Sequence, residues 1–343
     1  MIFLATATGS KEIYDYMRGN FSSLGMCLLF FLWLRNNPKV LLKSFSFFQI
    51  YIYLNLITII LFPDGMYSSP TYDANWFLGY KNIQIRTILP IVAIVLINSY
   101  YQRNKLTRSN FFLIFCCILT FLLNRSSTSL VGFSIFILLF AFFRKRELPR
   151  IISVKTGIAA VAAFFVLIVV MKSQYMFAFF IEDVLHKDLT FTDRVTIWDR
   201  TLPLIKKSLA LGYGYMTSAS YVSLYKADYF THPHNYTLYI LMTGGLSLLT
   251  VLLMGYYFAD KSLSATRESI YSKLVLFTLF SFLIMGFTEA ITATIMMYPM
   301  LIMGMEIKQI TADKNIKIQI ERAVRFHSWE KILQVLKRIS FTR

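Results

Sequence analysis

The chain has only three cysteines among 343 residues. Cys27, Cys116 and Cys117 all lie inside apolar runs. That excludes a disulfide framework, and no cysteine or histidine spacing suits a structural metal. The three are read as small core residues. No Asp-x-Asp motif occurs, so a metal-bound nucleotide-sugar donor has no support. No nucleophile elbow is present, which removes a Ser-His-Asp hydrolase. Gly212-Tyr213-Gly214-Tyr215 is a turn but not a dinucleotide fingerprint, because Thr217 stands where the third glycine belongs. No internal repeat is visible, so an inverted-repeat transporter is unsupported. Met1 to Ala7 is too short for the apolar core of a signal peptide.

What the chain does have is apolar length. Hydrophobic residues make up 56%, with 32 Phe and 21 Tyr. They come in blocks of about 14 to 22 residues with few charges, the pattern of bilayer-spanning helices. The expected fold is therefore all-α, a polytopic integral membrane protein with about nine transmembrane helices. The spans fall near 21–34, 44–62, 83–100, 111–123, 128–143, 153–171, 236–258, 273–288 and 290–306. One membrane domain then covers 1–306. The segment 307–343 is a basic tail whose Ile320, Val324, Trp329, Ile332, Leu333, Leu336 and Ile339 recur at helical spacing. It reads as an amphipathic helix on the inner leaflet.

Charge fixes the expected orientation. Of the 35 Lys and Arg, 23 fall on one set of loops plus the tail, and 12 on the alternate set. With the acidic residues included, nearly all of the +17 net charge lies on one side. That side should be cytoplasmic. The same distribution explains the basic balance without nucleic acid. The long loop 172–235 is then extracytoplasmic, and it holds three of the four histidines.

Several polar groups collect on the outer side. Arg86 sits about one turn inside the third span, either snorkelling to the interface or facing a cavity. Asn124 to Ser129 breaks an apolar run of 33 residues, too long for one helix across a core of about 30 Å. Two short spans should meet there, with Arg125 at the tip beside hydroxyls. It is either a polar turn or a phosphate seat. In the long loop, Thr192-Asp193 signals a helix start. Val195, Trp198, Leu202 and Ile205 form its apolar stripe, Trp198 being an anchor or a site residue. Pro203 should end or kink that helix. His232-Pro233-His234-Asn235 follows, immediately before a span. The two histidines are a weak metal pair, since no acidic or cysteine ligand is near in sequence. A neutral histidine also serves as general base. Glu289 lies between two spans and wants a cationic partner, if only as a structural ion pair. Arginines plus a base at a membrane surface suit an acceptor hydroxyl attacking a lipid-linked phosphate donor.

At these residues the chain resembles the O-antigen polymerase and ligase superfamily of bacterial membrane glycosyltransferases. His234-Asn235-Tyr236, followed by an apolar helix with Gly245, is similar to the family's His-Asn motif. Leu248 stands where a small or polar residue is usual, a departure from the ligases. Asp193-Arg194 with Trp198 and Gly212-Tyr213-Gly214 resembles the Arg…Trp…Gly-x-Gly segment. Asn124-Arg125-Ser126-Ser127-Thr128 resembles the Ser-Arg-Thr hairpin, and Thr288-Glu289 the glutamate after the penultimate helix. The order and spacing agree over roughly 63–306. Family members commonly carry ten to twelve helices, so the N-terminal part is expected to be shortened here.

The resemblance implies metal-independent, inverting glycosyl transfer that polymerises repeat units carried on undecaprenyl diphosphate into a surface or capsular polysaccharide. No cofactor is expected. The expected partners are the lipid-linked oligosaccharide, the growing polysaccharide, membrane lipid and other polysaccharide-assembly proteins. The location is the bacterial plasma membrane. His234 would be the base, with Arg194 and Arg125 on the diphosphate. Arg86, His232, Asn235, Trp198 and Glu289 are further substrate-side candidates. The alternatives are a ligase that moves glycan to an acceptor, or a non-catalytic flippase of lipid-linked sugar. Most span centres lack charge, which favours the enzyme over the flippase.

Overall fold

The computed structural model describes residues 6, 13–69, 72–172, 194–227, 230–287, 289 and 296–325. Among them every regular element is a helix, and the only β pairing is two isolated bridges in the 67–79 loop. In chain order the helices are α1 (Ile13–Asn36), α2 (Pro38–Phe47), α3 (Gln49–Leu61), α4 (Lys81–Arg103), α5 (Arg108–Leu123) and α6 (Ser127–Phe143). Then come α7 (Val154–Phe164), which continues as a π-helical turn Phe165–Val170, α8 (Arg194–Lys207) and α9 (Ser218–Tyr225). The last four are α10 (Tyr236–Ala265), α11 (Ile270–Met285), α12 (Met297–Met305) and α13 (Ile307–Arg325).

Three helical stretches are long and apolar enough to cross a membrane: Pro38–Leu61, Lys81–Arg103 and Tyr236–Ala265. Five shorter apolar helices accompany them, at Phe21–Asn36, Arg108–Leu123, Ser127–Phe143, Val154–Val170 and Ile270–Met285. The helices outrun the apolar blocks that announce them. α1 starts at Ile13 and α2 at Pro38 because polar residues are tolerated in end turns, where Asn37 caps α2 by accepting from Val40 N at 3.2 Å. The expected span over 290–306 is described only as the nine residues of α12, since 290–295 lie outside the described residues.

α4 and α11 form the centre. The most apolar window of α4 is 67% buried, against 33% for Pro38–Leu61 and for α10. Such all-round burial marks an interior helix. α11 packs on α6, α4, α12 and α7, and α4 also meets α2. Exposed Phe111, Phe115, Leu138 and Phe142 face outward from α5 and α6, as lipid-facing side chains do.

The end of the bundle away from the histidines is locked by charge. Asp260, buried in α10, accepts from Val154 N at 3.0 Å and so holds the start of α7. Buried Lys273 reaches Glu268 and the Arg146 carbonyl, both at 2.8 Å. The described start of the basic tail packs inward here, with Ile307 and Ile310 fully buried. The rest of the tail's apolar stripe, from 326 on, lies outside the described residues.

α10 is broken. Gly245 has φ +59 and ψ −159, a backbone region open essentially to glycine alone. The loop after α8 fills the break. Tyr213 N donates to Met242 O at 2.6 Å and Gly214 N to Thr243 O at 3.0 Å. In return Leu246 N donates to Leu209 O at 2.8 Å and Ser247 N to Ala210 O at 3.2 Å. Four groups orphaned by the break are thus satisfied by one neighbouring turn, as buried backbone requires. α8 itself runs through Pro203 to Lys207, so the proline does not end it. Its expected cap at Thr192 and Asp193 lies outside the described residues.

Candidate active site

The site lies where the starts of α4, α6, α8 and α10 meet the chain after α11. The histidine segment is pinned from three directions. Asn235 caps α10, its Oδ1 accepting from Leu238 N at 3.0 Å. Its Nδ2 donates to Phe287 O at 2.9 Å, and Tyr236 N donates to Gly286 O at 2.7 Å. From α8, buried Trp198 donates Nε1–H to Pro233 O at 3.0 Å and packs edge-on against Phe287. Asn235 and Trp198 therefore serve the site by holding the histidines in place.

His234 carries two marks of an over-determined position. Its φ is +46, uncommon for a residue with a side chain. Its Nδ1 is buried and has no hydrogen-bond partner among the described residues. A buried polar atom without a partner costs free energy, and such atoms recur at working sites. His232 supports the strained backbone: its Nδ1 accepts the His234 N–H at 3.1 Å, and the two rings lie 3.8 Å apart. Accepting at Nδ1 leaves that nitrogen of His232 without a proton. Burial, with help from Arg194, pushes His234 down to about 4. Burial, then His234 and the arginines, push His232 well below the usual range. Both imidazoles are neutral at pH 7.

Beside them Arg194, at the first turn of α8, pairs with Glu289 through Nη2 to Oε1 at 3.2 Å. The same Oε1 accepts from Asn82 Nδ2 at 3.1 Å. Burial raises the Glu289 carboxyl above its ordinary range, while Arg194 and Arg86 pull it back down. Arg86 lies within electrostatic reach of Glu289, Tyr72, Tyr239 and His232. It faces the cluster, so snorkelling to an interface is not its arrangement.

A polar seam backs the cluster. Ser126 Oγ donates to Asn82 Oδ1 at 2.9 Å and lies 2.6 Å from Ser129 Oγ. Buried Gln84 Oε1 accepts from Asn55 at 3.0 Å and from Asn124 at 2.8 Å. α5 and α6 do meet in a short turn here, with Arg125 at φ +51. Arg125 does not join Arg194. It is exposed and lines a different cleft, shared with Lys81.

Sequence reasoning missed Asn82, Gln84 and Tyr72. Asn82 and Arg86 stand four residues apart on a helix, hence on one face, and that spacing was the available signal. Tyr72 left no comparable trace.

Beside the cluster opens an apolar cleft of about 610 Å³ between α6, α7 and α11. Val131, Val161, Phe164, Ile168 and Phe280 line it, and Arg194 is the one charged residue in its described wall. The π-helical turn Phe165–Val170 forms part of this wall. Such turns recur at functional sites. Chemically, the arrangement offers an apolar trough, a guanidinium at its end, and a neutral histidine beside that guanidinium. Among the described residues no group of three or more His, Cys, Asp or Glu could hold a metal.

Residues 112–253 match a family model described as O-antigen ligase. The matched segment contains Arg125, Arg194, both site histidines and the Gly245 break. Over that segment the chain is similar to the O-antigen ligase family, in agreement with the resemblance read from its motifs. No curated protein and no solved structure matches the chain.

Proposed function

We propose that this protein is an inverting membrane glycosyltransferase that polymerises repeat units carried on undecaprenyl diphosphate. The reaction would run at the extracytoplasmic face, in a chain crossing the bilayer about nine times with its C-terminus cytoplasmic. The observation that carries the reading is the position of Arg194. It is the one charged residue in the described wall of an apolar cleft and lies within electrostatic reach of His234. A lipid diphosphate needs both of those surroundings at once.

In this reading the acceptor hydroxyl gives its proton to His234 as its oxygen attacks the anomeric carbon. The bond from that carbon to the diphosphate oxygen breaks, and the departing negative charge meets Arg194, with Arg86 behind it. Glu289 holds Arg194 in place before the donor arrives. A diphosphate in the cleft would offset Arg194, which adds to burial in depressing His234, and so strengthen the base. Nothing in the scheme calls for a metal or a cofactor.

A ligase is the second reading, favoured by the description of the matching family. One experiment separates the readings. His234→Ala and Arg194→Ala are made in a strain lacking its own copy, and surface and lipid-linked glycans are run on gels. A polymerase defect leaves single repeat units at the surface and no long chains. A ligase defect leaves long chains on the lipid carrier. Loss of even single units from the outside points to export and hence to a flippase. Long chains persisting in both variants would sink the site assignment.

A further inference from the structure

A second cleft, of about 530 Å³, shares no described wall residue with the lipid cleft. That is within the size range of small-molecule pockets. Its walls differ in kind from the first. Asp64, Asp73, Lys81 and Arg125 supply two charges of each sign, and none of the four is in an ion pair among the described residues. Tyr72 and Tyr80 stack face to face at 4.0 Å and 8°, presenting a flat aromatic surface.

This wall is braced. Asn75 Nδ2 holds the Tyr72 carbonyl at 2.9 Å, and Trp76 Nε1 holds the Phe62 carbonyl at 2.7 Å. Leu78 N donates to the buried Asn55 Oδ1 at 2.9 Å, tying the loop to α3. The loop is thus anchored through the same Asn55–Gln84–Asn124 bonds that back the catalytic cluster.

We propose that this cleft is a saccharide subsite, which seats the glycan of the acceptor while the donor's lipid occupies the apolar cleft. It rests on the glycosyl-transfer reading. Diphosphate is the wrong ligand here, because two carboxylates share the wall with the cations. Sugar is the right one. Carboxylates accept from paired hydroxyls, Lys81 and Arg125 donate to ring and hydroxyl oxygens, and the tyrosine face covers the C–H face of a pyranose. The two clefts converge on Glu289. Arg194 reaches it from the lipid side, and Tyr72 and Tyr80 lie within its electrostatic reach from the polar side. A glycan entering along Tyr72 therefore ends at the histidines. Arg125 becomes a glycan contact and leaves the diphosphate to Arg194.

The test uses the full chain in lipid nanodiscs and lipid-free fragments of one to four repeat units, hydrolysed from the host strain's own surface polysaccharide. Binding is read by saturation-transfer NMR and titration for wild type, His234→Ala, Asp73→Asn and Arg125→Ala. Asp64→Asn serves as a second near-isosteric variant, and all are first checked for an unchanged melt. The expected result is binding to wild type and to His234→Ala alike, weakened about tenfold or more in each pocket variant, since each loses a charge-assisted hydrogen bond. Fragments that fail to bind wild type, or bind the pocket variants equally well, overturn the subsite. Polymer made normally by His234→Ala while the pocket variants still lose fragment binding would instead overturn the transfer chemistry and leave the saccharide site standing.

Discussion

Gly245→Ala tests the break in α10 and everything mounted above it. A Cβ at Gly245 would lie 2.5 Å from the carbonyl carbon and oxygen of Ala210 and 2.6 Å from Leu209 O. Those are backbone atoms, so no rotamer relieves the clash. The φ and ψ of the position cost a non-glycine residue about 1–3 kcal/mol by themselves. If the 209–214 turn is pushed out, the four backbone hydrogen bonds across the break are lost, at about 1 kcal/mol net each. Together the expected destabilisation is about 5–7 kcal/mol, a large share of the stability of an ordinary domain. It is read by denaturant unfolding of the purified protein in detergent, beside polymer formation in cells. Gly212→Ala should cost a similar amount. Its Cβ would come within 2.6 Å of Met242 O and 2.7 Å of Gly244 N, across the same interface. The double variant should add little, because both changes remove one set of contacts. Gly25→Ala in α1 is the control, with no heavy atom within 4 Å of the new methyl. It should be neutral or stabilising by up to about 1 kcal/mol. A Gly245→Ala protein within about 1 kcal/mol of wild type would refute the reasoning.

Four further outcomes are expected. Trp198→Phe keeps an aromatic ring against Phe287 but loses the bond to the Pro233 carbonyl, so kcat should fall about tenfold with KM little changed, as for a misplaced base. With the free-enzyme His234 pushed down to about 4, the acid limb of kcat/KM should fall near pH 4 rather than near 6.5. The folded state binds that proton less tightly than the unfolded one, so stability is full above pH 6.5 and is lost as pH falls toward 4; a detergent melt series checks the sign. Gln84→Leu leaves the buried amides of Asn55 and Asn124 without their shared acceptor, and should cost about 2–4 kcal/mol by denaturant titration. Glu289→Gln breaks the pair with Arg194 and should lower activity at least about tenfold, with Arg194→Lys failing to replace the native guanidinium because a point charge cannot reproduce its fork.

The helices were legible because bilayer-length apolar blocks leave a signal that survives any tertiary context. The gathering of Arg86, Arg194, His232, His234 and Glu289 was legible for a related reason. Arg86, His232, His234 and Glu289 are polar residues at the same end of apolar runs, Arg194 starts the amphipathic helix of the loop on that side, and a small bundle has little room to keep them apart. Arg125 satisfies that same rule and still lines another cleft, with Asp64 and Asp73. The Asn82–Ser126 bond of the seam joins residues 44 apart, and sequence periodicity carries no information at that range. The break at Gly245 was hidden likewise. One glycine in a long apolar helix costs only about 1 kcal/mol. What opens the helix is a turn some 30 residues upstream, visible beforehand only as Gly212-Tyr213-Gly214. Pro203 does not end the helix: α8 continues for a further turn to Lys207.

The break gives α10 two mechanical parts. Tyr236–Gly244 is a strut of nine residues, about 14 Å long, tied to Gly286 at one end and to the 209–214 turn at the other. Leu246–Ala265 is a rod of 20 residues, about 30 Å, the thickness of a hydrocarbon core. Thinner or thicker bilayers are met by tilting such a rod. A continuous helix would pass that tilt to its far end, and with it to His234. Here the 209–214 turn is bonded to both sides of the joint, so the angle between strut and rod, and with it the seat of His234, is set by that turn rather than by the helix alone.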